Sequence, residues 1–329
     1  MKDDAPAPTS GHPTPATYGG TGFQARSQGH ADELGGVWAA CGSDSEVAPL
    51  RRVLLARPPR TLDEVHQPEA WHMLARPDRS ALEAAAAGLG RAYGELGVTV
   101  DWIDAPDAPP NLLFVRDLFV MTPEGAVLAR MGAQVRAGEE RACAATLAAL
   151  GVPLLASPRG HETLEGADAL FLGGGVLIGV GLRTNAAGAA RLQGVLIDQG
   201  IDSQIVTMPP AGVQHLLGIV TPLDETRVLL REARATDTIR GALRDLGLDA
   251  LPLPESPELV DGRGANLVAV RPGELLMPRA PVLQARLEDL GLRCHAVDVG
   301  PYLAAAGGVA CATGILRRAP TGAQAEVPA

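Results

Sequence analysis

Three things are scarce in this sequence, and each scarcity removes a class of function. Only four cysteines (Cys41, Cys143, Cys294 and Cys311) occur in 329 residues. They are too few and too scattered for a disulfide framework. None form a C-x-x-C pair, so a structural zinc site is not expected. No apolar run approaches the roughly 20 residues of a membrane span, so no membrane partner is expected. The opening stretch MKDDAPAPTSGHPTPATYGG has no apolar core of the kind a secretory signal carries. Basic residues are outnumbered: 28 Lys and Arg face 38 Asp and Glu, and the net charge of −10 disfavours bulk nucleic-acid binding. These absences together point to a soluble chain in a reducing, cytoplasmic compartment.

What is present is ample material for a core, since 46% of residues are hydrophobic and 20% charged. Residues 1–45 are rich in Gly, Pro, Ser, Thr and Ala without apolar periodicity, and are expected to form a disordered tail. Residues 46–329 are expected to form a single catalytic domain, and this part repeats. Five times a helix-like stretch ends in a glycine and continues as a β-prone run, at Gly97, Gly151, Gly200, Gly247 and Gly291. A glycine just past a helix ends it in the left-handed conformation at little cost. Ahead of these glycines, Ser80-x-x-Glu83 reads as a capping box for the first helix. The segments 139–150, 186–199, 236–246 and 281–290 have helical spacing. Between the units lie paired apolar runs split by turn residues, DLFVM/PEG/AVLARM, ADALFL/GGG/VLIGV, LLGIVT/PLDE/TRVLL and ANLVAV/RPG/ELLMP, which read as β-hairpins. A fifth pair would join GGVACATGIL at the end to RRVLLA at the start.

A module divided between the two chain ends suggests a closed ring. The expected architecture is an α/β-propeller of five ββαβ modules with pseudo-fivefold symmetry. The alternative is an ordinary α/β sheet with coincidental spacing. In the ring, equivalent positions converge on the axis. Asp117 opens the first hairpin, Asp168 the second (with Glu165 just before it), His215 precedes the third, Asn266 opens the fourth, and Cys311 is placed in the first strand of the fifth.

The stretches NLLFVRD (111–117), LEGAD (164–168), GVGLRTN (179–185), QHL (214–216) and GGVACAT (307–313), in this order, resemble the guanidino-group modifying superfamily. It includes arginine deiminase, dimethylarginine dimethylaminohydrolase and the arginine amidinotransferases. The resemblance spans Arg51 to Arg318 and implies the α/β-propeller (pentein) fold, with no cofactor and no metal. It implies Cys311 as nucleophile, His215 as general acid and then base, and Glu165 as the acidic partner of the histidine and the guanidinium. Asp117 would clamp the guanidinium, Arg183 and Arg136 would hold the substrate's α-carboxylate, and Asn111 would support binding, with Asp168 counted in the substrate-binding set. The chemistry suits these types. Carboxylates hold a resonance-stabilised cation in place, a thiolate attacks it, and a histidine moves protons near neutral pH.

One position departs from the pattern. Deiminases and amidinotransferases carry an aspartate two residues after the histidine, and here that residue is Leu217. A single-aspartate clamp is more similar to the dimethylarginine hydrolases. The implied activity is therefore hydrolysis of an arginine-like or N-methylated guanidino group. The alternatives are amidino transfer from arginine to an amine and a non-catalytic ring that binds arginine-like ligands. The expected partner is a small guanidino substrate, with a homodimer left open.

Overall fold

The computed structural model describes residues 13–321. The chain builds strand β1 (Leu50–Ala56), helix α1 (Arg79–Glu95) and strand β2 (Thr99–Ile103). A second module holds β3 (Phe119–Thr122), β4 (Gly125–Leu128), α2 (Glu139–Ala149) and β5 (Leu154–Ala156). The third holds β6 (Ala169–Leu172), β7 (Gly175–Val180), α3 (Ala186–Asp198) and β8 (Ser203–Thr207). The fourth holds β9 (Val220–Pro222), β10 (Arg227–Leu230), α4 (Asp237–Asp245) and β11 (Asp249–Pro252). After the short α5 (Pro257–Val260) come β12 (Val268–Arg271), β13 (Glu274–Pro278), α6 (Pro281–Asp289) and β14 (Arg293–Val297). Two short helices, α7 (Gly300–Ala304) and α8 (Val309–Ala312), lead into the last strand, β15 (Gly314–Arg318).

Each module is one three-stranded sheet, and the described residues form five, ordered β15-β1-β2, β3-β4-β5, β6-β7-β8, β9-β10-β11 and β12-β13-β14. Every sheet pairs its first two strands antiparallel and its last two parallel. A parallel pair needs a crossover, and the helix between supplies it. The five helix-ending glycines all adopt left-handed φ, between 69° and 83°. The split module is real: β15 from the C-terminal end pairs antiparallel with β1, so each chain end completes the other's sheet. This is the five-module α/β-propeller.

Two expectations need correction. The cap of α1 is Asp78, whose carboxylate accepts the Ala81 N–H at 3.1 Å. Ser80 instead donates its hydroxyl to Asp78. A carboxylate two residues earlier in the chain reaches the first-turn donor, so no Ser80–Glu83 box forms. The second correction concerns the tail. Residues 1–12 lie outside the described residues, but from about residue 39 onward the chain is laid against the sheets. The Ala39 N–H donates to Gly151 O, Gly42 exchanges backbone bonds with Leu316 and Arg318, and the Ser43 N–H donates to Thr122 O. Open strand-edge groups attract these donors and acceptors. Just after it, buried Glu46 takes both Nη groups of Arg116 at 2.6 and 3.1 Å.

At one end of the axis, short turns precede the inner strands: Val115–Asp117, Gly166–Asp168 and Leu216–Gly218. They pack on one another, and α8 packs on the first of them. This is where the polar residues singled out above are carried.

Candidate active site

Cys311 lies in α8 and not in a strand, because β15 begins only at Gly314. The two glycines before α8 have no room for side chains. A Cβ on Gly307 would come within 2.1 Å of the Phe114 ring, and one on Gly308 within 2.8 Å of Asn266 Oδ1. The chain therefore turns tightly into α8 and delivers Cys311 to Asn266. The Asn266 side chain reads both sides of the cysteine: Oδ1 accepts the Cys311 N–H at 3.2 Å, and Nδ2 donates to Sγ at 3.0 Å. Thr313, just beyond, bonds the buried Tyr93 hydroxyl at 2.8 Å and fixes the end of this turn. The thiol is half-buried. Burial pushes its pKa up and Asp117 adds to the rise, while Asn266, the Gly308 N–H and Arg263 oppose it.

His215 stands at the start of its turn in extended conformation and is buried. Its Nε2 lies 2.7 Å from Glu165 Oε2, and its Nδ1 lies 3.8 Å from Asp117 Oδ1. Burial opposes the ring's charge, but Asp117, Glu165 and Asp168 outweigh it and raise His215 to about 9. Glu165 is fully buried, and burial alone would raise it. The hydrogen bond from His215 and the charge of Arg136 win and hold it well below the usual carboxylate range.

The raised histidine is testable. Its contribution to stability is complete below the unfolded value of ~6.5 and is lost as pH rises through about 9. The ring signal of His215 in an NMR titration of the free protein should therefore move near pH 9. A midpoint below 7 would mean that the carboxylates do not carry this weight.

Asp117, Glu165 and His215 bring ligand atoms within 4.8 Å of one another, a span a divalent ion could bridge. A cation is already there. Arg136 Nη1 lies 2.6 Å from Asp117 Oδ2 and 3.4 Å from Glu165 Oε2. Its Nε and Nη2 both donate to Glu139, at 3.0 and 2.8 Å. Arg136 and Glu139 are buried. Two of these three groups, Asp117 and Glu165, are thus held by the protein's own guanidinium.

A cavity of about 360 Å³ opens over Cys311. Its wall includes His215, Leu217, Asn266, Arg183, Arg231 and Arg263. Arg183 is buried, 3.7 Å from Glu165 Oε1, and its Nη1 has no hydrogen-bond partner among the described residues. Asp117 Oδ1 is likewise buried without a hydrogen-bond partner among them. A donor and an acceptor left open in this way are groups a bound zwitterion could satisfy.

Of the residues singled out in the sequence, Cys311, His215, Glu165, Asp117 and Arg183 converge here. Three others spend their side chains on protein partners. Arg136 is turned to Asp117, Glu139 and Glu165 and does not line the cavity. Asp168 spends both oxygens inside the fold, accepting the Thr184 hydroxyl at 2.7 Å and the Leu216 N–H at 2.9 Å. It fixes the turn that carries His215, and burial raises its pKa to about 6 against the pull of His215 and Thr184. Asn111 donates its amide to Trp71 O at 2.8 Å and fastens the 57–75 loop. Sequence reasoning missed Glu139 and Arg263. Glu139 had a signal, three residues after Arg136 at a helix start, whereas Arg263 lay in a loop with no periodicity.

The geometry can be set beside known proteins. The family model described as arginine deiminase matches residues 106–230. The chain is similar to an N(G),N(G)-dimethylarginine dimethylaminohydrolase of Streptomyces coelicolor, 32% identical over 218 residues, which cover 65% of this chain and 78% of that one. Among solved structures, a dimethylarginine dimethylaminohydrolase adduct with 4-chloro-2-hydroxymethylpyridine superposes with a TM-score of 0.67 at 24% identity, covering 82% of this chain and 100% of the other. The inosamine-phosphate amidinotransferase of Streptomyces griseus gives 0.66 at 22% identity, covering 86% and 97%. At these identities the two structures share the fold.

Proposed function

This chain belongs to the guanidino-group modifying superfamily, and from that premise we propose that it is a hydrolase of an arginine-like or N-methylated arginine guanidino group, working through Cys311. The product is a ureido compound such as citrulline, with release of an amine or ammonia. The observation that carries this reading is one cavity wall that presents Cys311, His215 and Leu217 together.

The substrate guanidinium lies on the open Asp117 oxygen, and its carboxylate on Arg183. Its positive charge offsets the burial that keeps the thiol protonated, and Cys311 gives its proton up to solvent water. The Sγ attacks the guanidinium carbon and a C–S bond forms. His215, charged at neutral pH, gives its proton to one nitrogen, whose C–N bond breaks as the amine leaves. A thiouronium remains on Cys311. His215, now neutral, takes a proton from water as the water oxygen attacks the same carbon. The C–S bond breaks, the remaining hydroxyl proton returns to the Cys311 sulfur as the C=O forms, and the ureido product leaves. Glu165 holds the imidazole in orientation through both halves.

Leu217 places an apolar side chain where an aspartate would grip a second guanidino N–H. An apolar wall tolerates methyl groups and leaves no acid unpaired when the N–H groups are replaced. Incubation with arginine, methylated arginines and agmatine, with and without glycine or lysine, tests the reading. Citrulline with an alkylamine or ammonia is expected. Ornithine formed only with an acceptor would mean amidino transfer instead. Leu217→Asp should shift the kcat/KM ratio toward unmethylated arginine by about tenfold or more. An unchanged ratio would remove Leu217 from the specificity argument.

A further inference from the structure

We propose that Arg263 is the counter-cation of the Cys311 thiolate, a positioning residue that acts on the substrate only through the nucleophile. The inference rests on Cys311 being the nucleophile, as proposed above.

The first observation is conformational. Arg263 sits at φ 52°, the left-handed region, between Gly262 and Gly264. Glycine occupies that region at almost no cost, whereas a side chain costs about 1 kcal/mol there. Two glycines flank the position, yet the left-handed residue itself is an arginine. Side chains held in such conformations cluster at functional sites.

The second observation is the missing partner. Arg263 Nε is buried and has no hydrogen-bond partner, and no carboxylate lies in salt-bridge reach of the guanidinium among the described residues. By contrast Arg231, on the same cavity wall, is held by Glu255 through two bonds at 3.0 and 2.8 Å. The third observation is linkage. Arg263 O accepts the Asn266 N–H at 2.8 Å, and Asn266 holds Cys311 by both backbone and sulfur. The strained arginine and the cysteine are thus set by one turn, and both line the cavity.

The charged groups of the cavity wall and of the acid cluster behind His215 show which cation is free to serve the thiol. Asp117 comes from the turn before β3, Glu165 from the turn before β6, and Arg183 from the stretch between β7 and α3. His215 comes from the turn before β9, Arg231 from the end of β10, and Arg263 from the loop before β12. In many cysteine enzymes a histidinium stabilises the thiolate. Here His215 is drawn to Glu165 and Asp117. Arg183 is drawn to Glu165 and Arg231 to Glu255. Arg263 is the cation on this wall with no carboxylate in salt-bridge reach among the described residues, and its charge works in the direction of ionising the thiol.

The test is the pH dependence of Cys311 alkylation by iodoacetamide, mapped by peptide mass spectrometry, in wild type, Arg263→Lys, Arg263→Gln and Arg263→Gly. Removing the cation should move the alkylation midpoint up by about one unit and slow labelling at pH 7 about tenfold. Arg263→Lys should keep most of the wild-type profile. In steady state kcat should fall with the labelling rate, and KM should stay within about twofold. Arg263→Gly separates this role from a structural one. Glycine relieves the left-handed strain, so its melting temperature should hold or rise while the thiol midpoint still moves. An unchanged alkylation profile in both Gln and Gly variants overturns the proposal and leaves the nucleophile assignment standing. A rise in KM with an unmoved midpoint overturns it in favour of direct substrate contact. If Cys311 is not alkylated in wild type at any pH, the functional reading itself fails first.

Discussion

Cys311→Ser is expected to turn over substrate at least about 10⁴-fold more slowly than wild type, which corresponds to roughly 5 kcal/mol or more of lost barrier reduction. The hydroxyl is a far weaker nucleophile at neutral pH, and His215, raised to about 9 and so already protonated, is not free to take its proton. The fold should survive. Both bonds between Asn266 and residue 311 remain available, because the backbone N–H is unchanged and an oxygen can accept from Nδ2. The measurement is product formation with the best guanidino substrate, alongside a thermal melt and a mass search for a substrate-derived adduct on Cys311 in quenched wild type. Substantial turnover by a folded serine variant would refute the assignment. The other cysteines are poor substitutes: Cys143 is fully buried in α2, and burial with Glu288 nearby lifts Cys294 to about 11. Acidity does not select Cys311 among them, since burial raises all four. Its selection rests on the company it keeps in the cavity.

Much of this fold was legible because it is written in punctuation. A helix that must stop before an edge strand needs a left-handed residue, and glycine is the cheap choice, so Gly97, Gly151, Gly200, Gly247 and Gly291 count the modules. The split module followed from the same count, and β15 against β1 bears it out. The convergence of Asp117, Glu165, His215 and Cys311 came from symmetry, as a position just before an inner strand points to the axis in every module. Cys311 was set in the wrong element because GGVACAT is built from small and β-branched residues, which suit a strand as well as a turn. Only contact with Phe114 and Asn266, distant in sequence, decides for the turn. The role of Arg136 was illegible for a related reason. An arginine 19 residues beyond a carboxylate looks the same whether it reaches outward to a ligand or inward to a brace. The deciding group is Glu139, whose burial no local pattern announces.

That distinction sets the second large effect. Arg136→Met should destabilise the protein by about 3–5 kcal/mol, the cost of leaving buried acids without their cation. Methionine keeps much of the volume and the contact with Phe114, whose ring lies 5.9 Å below the guanidinium, so the loss is one of charge. Asp117, Glu139 and Glu165 would then face one another, with His215 and Arg183 as the remaining cations near them. Glu139 is already raised to about 7 by burial, against the pull of Arg136. Without Arg136 its proton is held still more tightly. A carboxyl whose folded pKa exceeds its unfolded value of ~4.3 loses stability as pH rises between the two. The variant should therefore melt closer to wild type at pH 5 than at pH 8, with a deficit at pH 8 of about 5–10 °C. Glu139→Gln in the same chain should recover part of that deficit, since it removes one of the stranded charges. An arginine that served chiefly to grip the substrate's carboxylate would behave otherwise, with a raised KM, an unchanged melt and no rescue by Glu139→Gln. That pattern would return Arg136 to the role its spacing from Asp117 first suggested. A large, pH-dependent, rescuable loss of stability would establish that the clamp for a guanidinium is built around one the protein supplies itself.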